Sequence, residues 1–308
     1  MSDKVKAYIG LTSTAMFWGA SFVSIKICME VFGPLYLAFY RYIFTSLIIF
    51  FVLKLMKKLE KIDRKDIFRM AASGITGVTM YFAFENNAVL KISSNEASIL
   101  IGTIPIFSLI FNRFIYKSRI TLRNFLSIAA SIFGIYLIIG GASFSLNVVG
   151  YVFMIMAAVS WSMYQFLVKP LFEKYSHMTI TMYQSLFGVL GFVPFLRLDY
   201  MNMDQMGPEI MAHFIFLTLI CSALCTYLYL YSQEILGINI ASVFLNLIPV
   251  FTFVFSFVIL NEKLSLIQTV GALIVIVAVS CVKEEIADSA GKHEEPGEIN
   301  AAKGCLVE

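Results

Sequence analysis

Apolar residues fill most of the first 283 positions in long segments, separated by short polar breaks. The pattern predicts helices over 6–27, 34–54, 67–90, 95–116, 121–141, 148–170, 177–197, 211–235, 238–260 and 264–283. A run of about 20 apolar residues is what it takes for a helix to cross the hydrocarbon core of a bilayer. Pro34 and Pro208 sit where the second and eighth helices open, the place where a missing N–H costs least. From Lys283 onward the chain turns to Glu, Gly and Ala with few apolar residues, so 285–308 reads as a disordered, solvated tail.

Composition agrees with that pattern. The chain is 59% hydrophobic and 14% charged, with a mean hydropathy of +0.82. A soluble domain has about half its residues apolar and about a quarter charged. The placement of Lys and Arg then orients the helices. If the N-terminus lies inside, 18 of the 23 basic residues fall on the inner side, four (Lys26, Lys91, Arg197, Lys263) on the outer, and Arg41 within a helix. This follows the positive-inside rule and predicts both termini in the cytoplasm of a multi-pass cell-membrane protein.

The sequence also repeats. Residues 12–47 shifted by 143 fall on 155–190 with seven of 36 positions identical, including Trp18/Trp161, Lys26/Lys169 and Tyr40/Tyr183. Residues 92–122 shifted by 144 fall on 236–266 with nine of 31 identical, including Asn95/Asn239, Ser98/Ser242 and Pro105/Pro249. One duplication explains both frames, with halves at 1–145 and 146–284. Five helices per half is an odd number, so the second half enters the membrane from the opposite face. Such inverted repeats let two halves open in turn around a midplane site.

The run Phe17-Trp18-Gly19-Ala20-Ser21-Phe22, Arg41, Pro105, and the segment from Pro249 through Asn261-Glu262-Lys263-Leu264 to Gly271-Ala272 resemble the EamA family of the drug/metabolite transporter superfamily. The likeness spans about residues 8–283. One departure is Ser118, which stands where Glu262 stands in the second half. The resemblance implies transport of small metabolites, often amino acid export, with proton coupling in some members.

Charged groups inside a bilayer cost about 2.5–3.5 kcal/mol each on insertion scales and are functional candidates by default. Arg41 and Glu85 fall at similar depth in the outer part of the bilayer. They form either an ion pair or a seat for a zwitterion, with Arg41 on a carboxylate and Glu85 on an ammonium. Glu85, if desolvated, is instead a candidate carrier of a coupling proton. Pro105 and Pro249 are expected to kink their helices. Ser98, Ser242 and Asn246 precede them on one face, where they either line a central cavity or allow close packing. Trp161, Tyr164 and Gln165 form one stripe. Trp18, Tyr40, Tyr81, Asn86, Tyr183, Gln184, Tyr227 and Tyr231 complete an aromatic and amide lining suited to a small, partly apolar ligand. Packing and interface anchoring compete with this reading for each aromatic residue. Helix five carries a small-residue face (Ser127, Ala130, Ser131, Gly134), and helix ten begins one at Gly271-Ala272. These faces join helices five and ten within one chain or join two chains.

Together these features predict an all-α integral membrane protein of ten transmembrane helices, working as a secondary transporter by alternating access. Its expected partners are a small-molecule substrate, the lipid bilayer and a coupling proton, with no nucleic acid, no metal and no cofactor, as monomer or homodimer. A membrane-embedded enzyme and a channel-like facilitator are the alternatives. The first lacks a clustered catalytic set, and the second more often builds rings from several subunits.

Overall fold

The computed structural model describes residues 1–117, 121–139, 147–260 and 266–282. Ser118, Glu262, Lys263 and the tail 285–308 lie outside the described residues. What is described is helical, apart from an isolated bridge between Phe32 and Met201. The helices are α1 (Asp3–Cys28), α2 (Pro34–Leu55), α3 (Ile67–Val89), α4a (Ser94–Ile101), α4b (Ile104–Tyr116) and α5 (Leu122–Ile139). After them come α6 (Val148–Val168), α7 (His177–Phe192), α8 (Pro208–Leu236), α9a (Ile238–Phe244), α9b (Leu247–Leu260) and α10 (Leu266–Cys281). Among the described residues six helices, α1–α3 and α6–α8, are long and apolar enough to cross a membrane, and α4b, α5, α9 and α10 contain shorter apolar helices.

The helix ends follow local chemistry. Ser2, Asn147 and Ser176 cap α1, α6 and α7 by accepting backbone N–H bonds from Val5, Gly150 and Thr179. Gly237, at φ +82°, breaks the chain between α8 and α9a with a backbone conformation that favours glycine.

The fourth and ninth helices are broken rather than merely kinked. A proline ring clashes with the carbonyl four residues earlier and cannot donate to it. Four residues before Pro105 is Ile101, where α4a stops, and four before Pro249 is Leu245, just past α9a. At the breaks the chain tightens into three-residue turns, Thr103 N to Leu100 O and Asn246 N to Val243 O, both 3.0 Å, and Leu245 O, freed by Pro249, accepts from Ile248 N at 2.9 Å.

A second irregularity gave no sequence signal. Residues Ile75–Met80 of α3 and Phe216–Leu224 of α8 are wound as π-helix, and 75–80 shifted by 143 falls inside the latter. A π turn widens the ladder to bonds five residues apart, as from Tyr81 N to Thr76 O, and its carbonyls can accept a second donor from a neighbouring helix. Ser160 of α6 donates to Thr76 O (2.7 Å), Trp18 of α1 to Cys221 O (3.0 Å) and Thr45 of α2 to Thr218 O (3.3 Å).

Two straps tie the halves at opposite ends of α2. Where α2 begins, Asp199 Oδ2 accepts from Leu35 N and Tyr36 N at 2.7 and 2.8 Å, and Gly33 N donates to Tyr200 O. Where α2 ends, Glu60 Oε2 accepts from Ser176 N at the head of α7, while Lys174 and the Tyr175 hydroxyl both hold Asp66 at 2.9 Å. Each half thus caps the second helix of the other. The small-residue faces also meet within the chain. A side-chain carbon added to Gly134 of α5 would stand 2.8 Å from Gly271 O of α10.

Candidate functional site

Trp18 and Trp161, related by the 143-residue shift, meet edge to face in the middle of the bundle at 5.4 Å and 87°. Tyr81, Tyr164 and Tyr229 pack around Trp161 at 4.9, 4.9 and 5.5 Å. Beside this cluster lies a small cavity walled by Trp18, Arg41, Tyr81, Phe82, Glu85 and Trp161 and closed by Ile101 and Ile248, next to the two helix breaks. It has room for about one water molecule.

Arg41 and Glu85 share this cavity but do not pair. Arg41 is 2% exposed. Its Nη2 donates to Ser222 Oγ at 3.1 Å, its guanidinium lies 5.0 Å from the Phe82 ring, and Nε and Nη1 have no acceptor. Glu85 is 5% exposed. Its Oε1 accepts from the Tyr81 hydroxyl at 2.8 Å, and Oε2 has no donor. Of the two arrangements the sequence left open, the ion pair is absent. Buried charges are normally paired because an unpaired one loses its hydration with nothing in return. A cation with two free donor nitrogens and a carboxylate with one free oxygen thus line one cavity.

The remaining candidates divide by position. Tyr164 and Gln184 line a second small cavity on the other side of Trp161. Gln165 and Ser242 belong to a sealed network. Ser108 Oγ donates to Gln165 Oε1 (2.9 Å), Gln165 Nε2 donates to the Tyr229 oxygen (2.6 Å), and Ser242 Oγ lies 2.9 Å from Ser108 Oγ. Asn86 and Asn246 are buried and serve as ties, to Pro34 O (2.8 Å) and Ser131 Oγ (2.5 Å). Ser98 is buried next to the break in α4.

Four tyrosines stand away from both cavities. Tyr40 packs among Phe32, Tyr36 and Phe39 at the head of α2. The Tyr183 hydroxyl donates to Glu60 O in a strap. Tyr227 and Tyr231 flank His177, whose Nε2 lies 2.7 Å from Glu234 Oε2. Repeat pairing singled out Tyr40 and Tyr183, and helical spacing Tyr227 and Tyr231. Tyr40 and Tyr183 are next in sequence to the cavity residues Arg41 and Gln184 but lie on other faces of their helices, and Tyr227 and Tyr231 lie at the His177 end of α8. Phe82, Ile101, Ile248 and Tyr229 were missed because single apolar or aromatic residues in apolar helices look like any others.

Comparison with known proteins turns this geometry into a family. The sequence model of the EamA-like transporter family matches twice, over residues 5–140 and 148–283. The chain belongs to the EamA-like transporter family. It is thus a multi-pass membrane protein of a transporter family. A relative in Archaeoglobus fulgidus, an uncharacterized transporter, is 28% identical over 279 residues, covering 89% of this chain and 96% of that one. Another, a probable terminal-alkyne amino-acid exporter of Streptantibioticus cattleyicolor, is 22% identical and covers 95% of this chain and 98% of its own. A crystal structure with 14% identity superposes at a TM-score of 0.74, covering 91% of this chain and 96% of that one, and shows the same fold.

Proposed function

We propose that this EamA-like transporter is a secondary carrier that exports an amino acid or a related small zwitterion by alternating access. The observation that carries the reading is the pair of unpartnered buried charges, Arg41 and Glu85, on one cavity. A carboxylate reaching Arg41 would accept from its unpartnered N–H donors, and an ammonium would take Glu85 Oε2. The cavity's small size fits a closed state that admits substrate only when the halves part. In this reading the chain crosses the membrane ten times as two inverted five-helix units, with both termini and the Lys- and Arg-rich loops in the cytoplasm. Glu85 is the group that exchanges a coupling proton when no ammonium is bound. The export direction and the amino-acid class draw support from the Streptantibioticus relative's name.

The test is uptake and counterflow in proteoliposomes with a panel of amino acids, polyamines and nucleosides, with and without a proton gradient. Arg41→Ala is expected to abolish flux of the transported compound, and Glu85→Gln to abolish its response to the gradient. Normal flux in both variants at normal incorporation would sink the proposal.

A further inference from the structure

The cavity holding Arg41 and Glu85 has a neighbour. Trp161 is a wall of both, and the second, separate cavity lies among Tyr42, Val78, Tyr164, Thr181, Gln184 and Ser185. Gln184 is the residue that the 143-residue shift places on Arg41. The two cavities are therefore corresponding places in the two halves, one centred on a cation and the other on a neutral amide.

The second lining is uncharged, with the polar groups of Thr181, Gln184 and Ser185 set among Val78 and aromatic rings. Gln184 is 2% exposed, accepts from the Tyr164 hydroxyl at 3.1 Å and donates from Nε2 to Ser73 Oγ at 2.9 Å. An amide has two N–H donors and two acceptor lone pairs, so Gln184 keeps one of each in hand. Thr181 and Ser185 spend their protons on carbonyls of their own helix, His177 O and Thr181 O, and retain acceptor capacity. Tyr164 lies close to α3 because Gly77 has no side chain. A carbon added there would fall within 2.4 Å of the ring. We infer that the Gln184 cavity is the side-chain subsite of the transported zwitterion, and that Gln184 selects a small neutral side chain carrying an amide or hydroxyl. The inference rests on the Arg41 and Glu85 reading, because the head group must sit there for the side chain to lie past Trp161. A charged side chain would enter a pocket with no counter-charge, and an apolar one would leave the remaining Gln184 donor and acceptor dry. Sites built to hydrogen-bond a group reject analogues that lack it.

The chain has two tryptophans, Trp18 and Trp161, and both wall the site, so their fluorescence reports binding directly. Purified full-length protein is titrated with L-glutamine, L-leucine, L-glutamate and L-lysine. Wild type is expected to bind glutamine at least about tenfold more tightly than the other three. Gln184→Glu should turn the order toward lysine by about tenfold, and Gln184→Met should bring glutamine down to the level of leucine. Should Gln184→Glu fail to fold, the neutral Gln184→Met decides. Equal binding of leucine and glutamine by wild type, or a glutamine preference that survives Gln184→Met, would overturn the subsite. Binding of the panel that Arg41→Ala abolishes while the Gln184 variants keep the wild-type order refutes the subsite and leaves the head-group reading standing. No binding of any of the four to wild type removes both.

Discussion

Replacing Arg41 with methionine separates a residue kept for a ligand from one kept for the fold. In the empty protein the guanidinium gains one charged hydrogen bond to Ser222, about 1.5–3 kcal/mol, and a position over Phe82, about 1 kcal/mol. Against this stand two buried nitrogens without acceptors, each costing about 1–3 kcal/mol. Taking central values, the guanidinium leaves the empty protein roughly 1 kcal/mol less stable than a methionine of similar reach would. R41M should therefore melt slightly higher than wild type, by about 1–2 °C, in detergent thermal unfolding. It should also lose transport in proteoliposomes. The combination is diagnostic, because a structural arginine would show the reverse. An R41M protein that melts several degrees lower and still carries substrate would refute the reasoning.

Asp199→Ala removes the carboxylate that caps α2 and should destabilise the protein by about 1–2 kcal/mol, read as a lower melting temperature, with Asp199→Asn recovering part of it. Gly134→Val should push α5 from α10, since even the first added carbon meets Gly271 O, and should cost about 1–3 kcal/mol in the same assay. At the other strap, the Lys174 hydrogen bond, then that of Tyr175, holds the Asp66 carboxyl below its ordinary value of 3.8. A lowered folded value means the contribution is full above pH 3.8 and fades as the pH falls through the folded value. Asp66→Asn should remove that acid-limb loss from a series of melts from about pH 5 down to about pH 2, and an unchanged limb would place its origin elsewhere.

Much of the architecture was legible because two strong signals coincided. Apolar length marked the helices, and the repeat marked which of them correspond. Pro105 and Pro249 announced irregular helices, although the structure shows full breaks whose positions follow from the carbonyl four residues upstream. The π stretches were not legible: Ile75–Met80 and Phe216–Leu224 contain nothing that an α-helix would refuse. What holds them is the set of donors from α1, α2 and α6, which only the assembled bundle supplies. At the candidate site the rare residues were informative. Arg41, Glu85 and the two tryptophans stood out because charge and indole are costly or scarce in such helices, and all four wall one cavity. The tyrosines did not discriminate. With 15 in the chain, a polar stripe of helical spacing arises easily, and Tyr40, Tyr183, Tyr227 and Tyr231 lie elsewhere. Whether α5 and α10 meet in one chain was also beyond the sequence, since a small-residue face does not name its partner.

The mutual capping of α2 and α7 has an order in time. Glu60 is already made when the head of α7 leaves the ribosome, so α7 finds its acceptor waiting. Asp199 follows Leu35 by 164 residues. At ordinary rates of synthesis α2 then waits about 8–33 seconds with its first N–H groups uncapped. The first half emerges with one helix unfinished, and the second half completes it.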